Sequence, residues 1–164
     1  MHLQAAAISD AVAQILAEAD ADIAGRRPVC RSSGRCCKFE SYGHRLYVTA
    51  VELVHFAEHL PAVENRESAI KNGAGPGALV SLPQFFEQAA PTGCPYQVDN
   101  LCTAREARPL GCRLYFCDEN SQAWQPELYE KYHARLAAVH ERFELPYRYV
   151  EWRAAWRELV PCTE

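Results

Sequence analysis

What most limits how this chain can fold is the distribution of its cysteines. Of the 8 in the sequence, all but Cys162 fall in two groups separated by a long insert. The first group is Cys30-Arg-Ser-Ser-Gly-Arg-Cys36-Cys37. The second spans residues 94 to 117 and holds Cys94, Cys102, Cys112 and Cys117. Thiolates are soft, strong ligands for zinc and for the iron of clusters, and such centres take about four protein ligands. An ion held by two distant loops ties a long loop together, so metal binding and folding become one event. The rest of the chain is therefore expected to be organised around residues 94 to 117, with both groups folded about one centre.

Disulfides are the competing use of so many cysteines, and compartment decides between the two. The N-terminus, Met1-His-Leu-Gln-Ala-Ala-Ala-Ile-Ser-Asp10, lacks a basic n-region, and no apolar run is long enough to span a bilayer. The expected location is the cytoplasm, where clustered cysteines serve as metal ligands or redox centres. Formal net charge is -4, which gives no reason to expect nucleic acid or membrane as a partner; a protein partner stays open.

The spacings are C-x5-C-C and C-x7-C-x9-C-x4-C. Neither is the paired C-x2-C of a zinc ribbon nor the C-x2-C-x2-C of a bacterial ferredoxin, so they point to a metal without choosing one. Seven thiolates on one zinc would be prohibitive by charge. Some thiols then stay protonated, or two metals bind, or a cluster takes four. Arg31, Arg35, Arg105, Arg108 and Arg113 flank the cysteines and are expected to offset the charge. Cys36 and Cys37 are adjacent, so their side chains are expected to diverge, one binding here and the other packing or serving a second ion.

Around these groups the pattern reads as mostly helical. Residues 2 to 24 form an amphipathic helix through Ile8, Val12, Ile15 and Leu16, with Gly25 as its C-cap. Residues 44 to 48 form a short strand. Thr49-Ala-Val-Glu52 is a capping box that opens a helix running to about Leu60. Residues 72 to 77 are a flexible connection without the Lys-Ser/Thr pair of a phosphate loop, and 81 to 90 a short helix. Residues 94 to 103 form a hairpin turning near Asp99-Asn100, which brings Cys94 and Cys102 together. Arg105 to Cys117 is turn and short helix interrupted by Pro109 and Gly111. Gln125 to Glu144 is the best helix, with Leu128, Tyr132, Leu136, Val139 and Phe143 as its apolar stripe. A last helix carries Trp152, Trp156 and Leu159 on one face. Together these predict one α+β domain over 1–164, mostly α: three or four helices around an irregular cysteine-rich metal centre with one small β-hairpin. Its parts are an N-terminal helix (1–25), a metal-binding region (30–117) and C-terminal helices (125–160).

The order of these motifs resembles the YkgJ-type cysteine-cluster family, described as a zinc- or iron-chelating domain and in places as iron–sulfur proteins. The resemblance rests on Cys30-x5-Cys36-Cys37 with Gly34, the threonine-led helix at Thr49, Cys94-Pro95-Tyr96, Cys102, Arg108-Pro109 and Cys112-Arg113. It covers residues 30 to 117. It implies a zinc ion or iron–sulfur cluster as cofactor, with Cys30, Cys36, Cys37, Cys94, Cys102 and Cys112 among the ligands. Ser33 stands where the family pattern has a second cysteine, and Cys117, outside that pattern, is the candidate for the missing thiolate. A flagellin lysine methylase has a similar cysteine cluster, but this chain lacks a glycine-rich cofactor loop, so that activity is not carried over.

The expected function is thus metal binding through Cys30, Cys36, Cys37, Cys94, Cys102, Cys112 and Cys117, in electron transfer or redox sensing if the centre is an iron–sulfur cluster. The alternatives are a structural zinc module for protein interaction and a metal-dependent enzyme, for which no catalytic residue is assigned. His55-Phe-Ala-Glu58-His59 also matches H-x-x-E-H, the inverted zinc-peptidase motif. Because the helix stops near Pro61, these histidines are expected to be solvated or capping groups in its last turn. His133 and His140 share a helix face, with a surface or interface role expected.

Overall fold

A computed structural model describes residues 2–59, 93, 94 and 96–159. The expected connection at 72–77, the short helix at 81–90, Pro95 and Cys162 lie outside them. The described elements are α1 (His2–Arg26), a 3-10 turn (Arg35–Cys37), β1 (Tyr47–Thr49), α2 (Ala50–Glu58), β2 (Gln97–Val98), β3 (Leu101–Cys102), α3 (Leu110–Leu114), α4 (Glu119–Gln122), α5 (Gln125–Arg142), β4 (Tyr149–Glu151) and α6 (Trp152–Leu159). The architecture is a mostly helical α+β domain in which three main helices, α1, α2 and α5, carry small two-stranded antiparallel sheets. No helix among the described residues is long and apolar enough to cross a membrane.

Alanine-rich sequence favours α1, and its buried residues Ile8, Val12, Ile15, Leu16, Ala19 and Ile23 recur at helical spacing. That stripe meets Val51 of α2, Leu110 and Leu114 of α3, and Leu128, Tyr132, Leu136 and Val139 of α5 in one core. Gly25 falls inside α1, not at its cap. The helix ends at Arg26; Arg27 just beyond it takes the left-handed conformation (φ 50), and Pro28 prevents continuation. On the outer edge of the α1–α5 contact, Arg135 grips Glu18 through two hydrogen bonds of 2.6 and 3.0 Å, and Lys131 pairs with Asp22 at 2.7 Å. These exposed pairs fix orientation more than they add stability.

A second core lies on the cysteine side. Phe39, Leu46, Val48, Phe56, Tyr96, Ala104, Ala107 and Trp152 are buried there, with Cys94, Cys102 and Cys112 packed against them. Phe56 and Trp152 meet edge to face at 4.8 Å. The side chains of Trp156 and Leu159 lie outside those described.

Both capping-box arms are present at Thr49: its hydroxyl accepts from Glu52 N, and the Glu52 carboxylate accepts from Thr49 N at 2.7 Å. α2 runs to Glu58, with His59 as its C-cap. The hairpin also forms as expected, pairing Gln97 with Cys102 and Val98 with Leu101. Asp99 (φ 49) and Asn100 (φ 65) are both left-handed, the signature of a type I′ turn.

Two differences from the sequence reading position the site. A second sheet pairs β1 with β4, Val48 opposite Val150, where a single hairpin was expected. Gly111 does not interrupt α3 but lies within it. A Cβ there would come to 2.8 Å from Leu46 Cδ1, so glycine lets the helix approach β1 closely.

Candidate metal centre

Three short segments supply the sulfurs. Gly34, left-handed at φ 69, turns the early loop into the 3-10 turn that carries Cys36 and Cys37. Gln97 Nε2 donates to Gly34 O at 2.8 Å, and Cys94 N donates to Cys37 O at 2.8 Å. These bonds dock the early loop on the hairpin that bears Cys94 and Cys102. Gly34 has no room for a side chain, since a Cβ would meet Gln97 Nε2 at 2.5 Å and Asn100 Oδ1 at 2.8 Å. Cys112 arrives on α3, whose first amide, Leu110 N, donates to Glu52 Oε1 at 2.8 Å. Glu52 therefore anchors two helix starts at once. Burial pushes its carboxyl up, against the hydrogen bonds from Thr49 and Leu110.

Cys36 and Cys37 do not diverge as expected: the 3-10 turn brings their sulfurs to 3.9 Å. Cys94, Cys102 and Cys112 lie close enough for their charges to interact with Cys36 or Cys37. The two cysteine groups thus meet in a partly buried arrangement of five thiols: Cys36, Cys37, Cys94, Cys102 and Cys112. All seven described cysteines are free thiols. Among the described residues, no group of three or more His, Cys, Asp or Glu side chains is already gathered as a metal site. The Cys36 and Cys37 sulfurs form a close pair at 3.9 Å.

Electrostatics keeps Cys36, Cys37, Cys102 and Cys112 protonated. The hydrogen bond to Cys37, then burial, pushes Cys36 strongly up. For Cys37, the bond from Cys36 acts downward, but contact with Cys94, burial and the neighbouring sulfurs outweigh it, and the thiol is pushed up to about 12. Burial raises Cys102 and, with the charges of Cys37 and Cys102, raises Cys112 well above the ordinary thiol range. Arg108 opposes the shift at Cys36, Cys102 and Cys112, and Arg105 opposes it at Cys102. Arg113 is turned elsewhere. It is buried, forms an ion pair with Asp20 of α1, and donates to the carbonyls of Arg108 and Glu106. Its part is to clamp the 105–113 segment to α1.

Cys30 and Cys117 stand apart from the five. Cys30 is exposed and faces a cleft beside α1. The Cys117 sulfur lies 3.7 Å from the Ser33 hydroxyl, next to the position where the family pattern has its extra cysteine.

A nitrogen donor that the sequence reading passed over lies beside the thiols. His44 stacks on Tyr115 at 4.7 Å, and its Nε2 lies 3.4 Å from Cys36 O. Its Nδ1 is buried without a hydrogen-bond partner among the described residues. His44, Cys36 and Cys112 all line one cavity of about 140 Å³. A ring with one nitrogen near a carbonyl and the other left as a lone pair is the arrangement of many metal-ligating histidines. No sequence motif marks His44.

The H-x-x-E-H histidines serve a different environment. His55 is buried, with Nδ1 3.0 Å from the Ser9 hydroxyl, and its ring lies 4.1 Å from that of His59. Burial, then the charges of His59 and Arg113, lower His55 to about 4. His59 Nδ1 donates to His55 O at 2.9 Å, so His59 caps the helix as expected, whereas His55 is not solvated. Glu58 is exposed and is not gathered with them. His140 is buried with Nδ1 3.1 Å from Pro146 O, so the surface or interface role expected of it does not hold, while His133 is half-buried with Nε2 3.0 Å from the Tyr147 hydroxyl.

No family model matches this chain, and no curated protein or solved structure matches it.

Proposed function

We propose that this chain is a metal-binding protein that holds zinc or an iron–sulfur cluster through Cys36, Cys37, Cys94, Cys102 and Cys112. The observation that carries the reading is the docking of the early cysteine turn on the late hairpin, fixed by the bond from Cys94 N to Cys37 O. Burial and neighbouring sulfurs hold four of these thiols, Cys36, Cys37, Cys102 and Cys112, protonated, and a cation would change such a site most, because coordination deprotonates thiols that burial otherwise keeps neutral. The order of cysteine motifs shared with the YkgJ-type family adds support.

Two occupants fit different features. A tetrahedron with metal–sulfur bonds of about 2.3 Å has edges of roughly 3.8 Å, close to the 3.9 Å between Cys36 and Cys37, which favours zinc. More sulfurs than one zinc needs, and a cavity of about 140 Å³ against Cys36 and Cys112, favour a cluster and with it electron transfer or redox sensing. Cys30 and Cys117 enter this reading as outer ligands, Cys117 on the Ser33 side. A reducing compartment such as the cytoplasm keeps these thiols available.

Metal and acid-labile sulfide analysis of protein isolated without oxygen separates the occupants. Stoichiometric zinc without sulfide identifies a zinc module, of which protein interaction is the expected work. Iron with sulfide and a brown colour identifies a cluster. Either should be lost in Cys37→Ser. Protein free of both metals, or metal retained in full by Cys37→Ser and Cys112→Ser, overturns the reading.

A further inference from the structure

A cleft of about 780 Å³ opens between α1, the end of α2 and the 105–113 segment. Its volume is that of a small-molecule site. The floor is apolar, with Leu16 buried and Phe116 half-buried. At the rim stand Arg27, Arg105 and Arg108. None of these has a carboxylate partner among the described residues, although the chain as a whole is acidic at -4. The acid on that wall, Asp20, is taken by Arg113, and Glu106 is exposed.

One buried polar group also faces this space. His55 lines the cleft, with its Nδ1 3.0 Å from the Ser9 hydroxyl. His59 Nδ1 must carry a hydrogen, because its partner, the His55 carbonyl, only accepts. The Ser9 hydroxyl lies 3.4 Å from His59 Nδ1 and 3.0 Å from His55 Nδ1. The groups offered by the cleft are the buried His55 ring and three guanidinium ions above an apolar floor.

We propose that this cleft binds a small organic anion, a carboxylate or phosphate ester carrying an apolar body. The guanidinium ions take the anionic oxygens, the His55 ring orients them, and the apolar body covers Leu16 and Phe116. The site adjoins the thiols through Arg108, which lines the cleft and acts electrostatically on Cys36, Cys102 and Cys112. It does not rest on the metal reading, and metal content measured on the same samples tells the two apart.

Phenyl phosphate, benzoate and the neutral benzyl alcohol are the probes, titrated into the full chain while the histidine ring signals are followed by nitrogen-15 NMR. Saturable shifts of the His55 ring with phenyl phosphate or benzoate are expected, and whichever of the two binds tighter identifies the anion. Arg27→Ala, an exposed truncation that leaves the cores intact, should weaken binding at least tenfold at unchanged metal content, and Arg105→Ala should weaken it at least tenfold as well. Absence of saturable shifts with both anions, equal binding of benzyl alcohol, or undiminished binding by both variants would overturn the proposal.

Discussion

At the residue scale, neighbouring side chains decide what each titratable group can do. Cys117 is the clearest case, because its sulfur sits 3.7 Å from Ser33, where the family pattern has a thiol. If that contact marks a substitute ligand, Cys117→Ser lowers metal content about as much as Cys112→Ser, and unchanged stoichiometry places Cys117 outside the ligand set. His55 gives a pH prediction. Its folded value of about 4 lies below the ordinary 6.5, so the unfolded chain takes up the proton first as pH falls. The stability that His55 contributes is fully present above about pH 6.5 and is lost as pH falls through about 4. Buried His140 is lowered in the same direction. Thermal midpoints should therefore drop across that window, and His55→Gln should flatten the slope. The spacing of H-x-x-E-H was visible in the sequence, but the burial of His55 was not. It comes from α1, whose Ser9 is 46 residues away in the chain.

At the element scale, Glu52 links the helix that starts at Thr49 to the helix that presents Cys112. The first link was legible because a capping box is local: three residues separate its halves. The second, Leu110 N to Glu52 Oε1, joins residues 58 apart and leaves no local trace. Glu52→Ala removes the acceptor for three buried donors: Thr49 N, Thr49 Oγ1 and Leu110 N. A loss of about 3 kcal/mol in denaturant unfolding is expected. Metal content should fall too, although no sulfur is altered. A variant that loses stability yet binds metal normally would show that α3 is placed by its packing alone. The hairpin was legible for a similar reason: Asp and Asn tolerate left-handed backbone, and the turn needs two such residues. The β1–β4 sheet was not, because three-residue strands about a hundred positions apart have too little pattern to announce their pairing.

At the scale of the whole molecule, the two cores should respond differently to removal of the proposed metal. The helical core of α1, α2, α3 and α5 includes no cysteine, whereas the second core packs directly against Cys94, Cys102 and Cys112. Chelation should therefore lower the thermal midpoint and loosen the environment of Trp152 while most helical circular dichroism survives. A site filled to a thousand times its dissociation constant adds about 4 kcal/mol. Loss of helix in parallel with metal would instead make the domain a single metal-dependent unit. The sequence by itself determined the long helices, the capping box, the tight turn and the pairing of cysteines into two groups, because each rests on periodicity or spacing within a few turns of chain. Only tertiary structure decided that Cys36 and Cys37 face each other, that Arg113 turns to Asp20, and that His44 and His55 are oriented by Cys36 O and Ser9. Those outcomes depend on which distant surfaces are pressed together, and burial, which moves a thiol or an imidazole away from its ordinary chemistry, is a property of the packed whole.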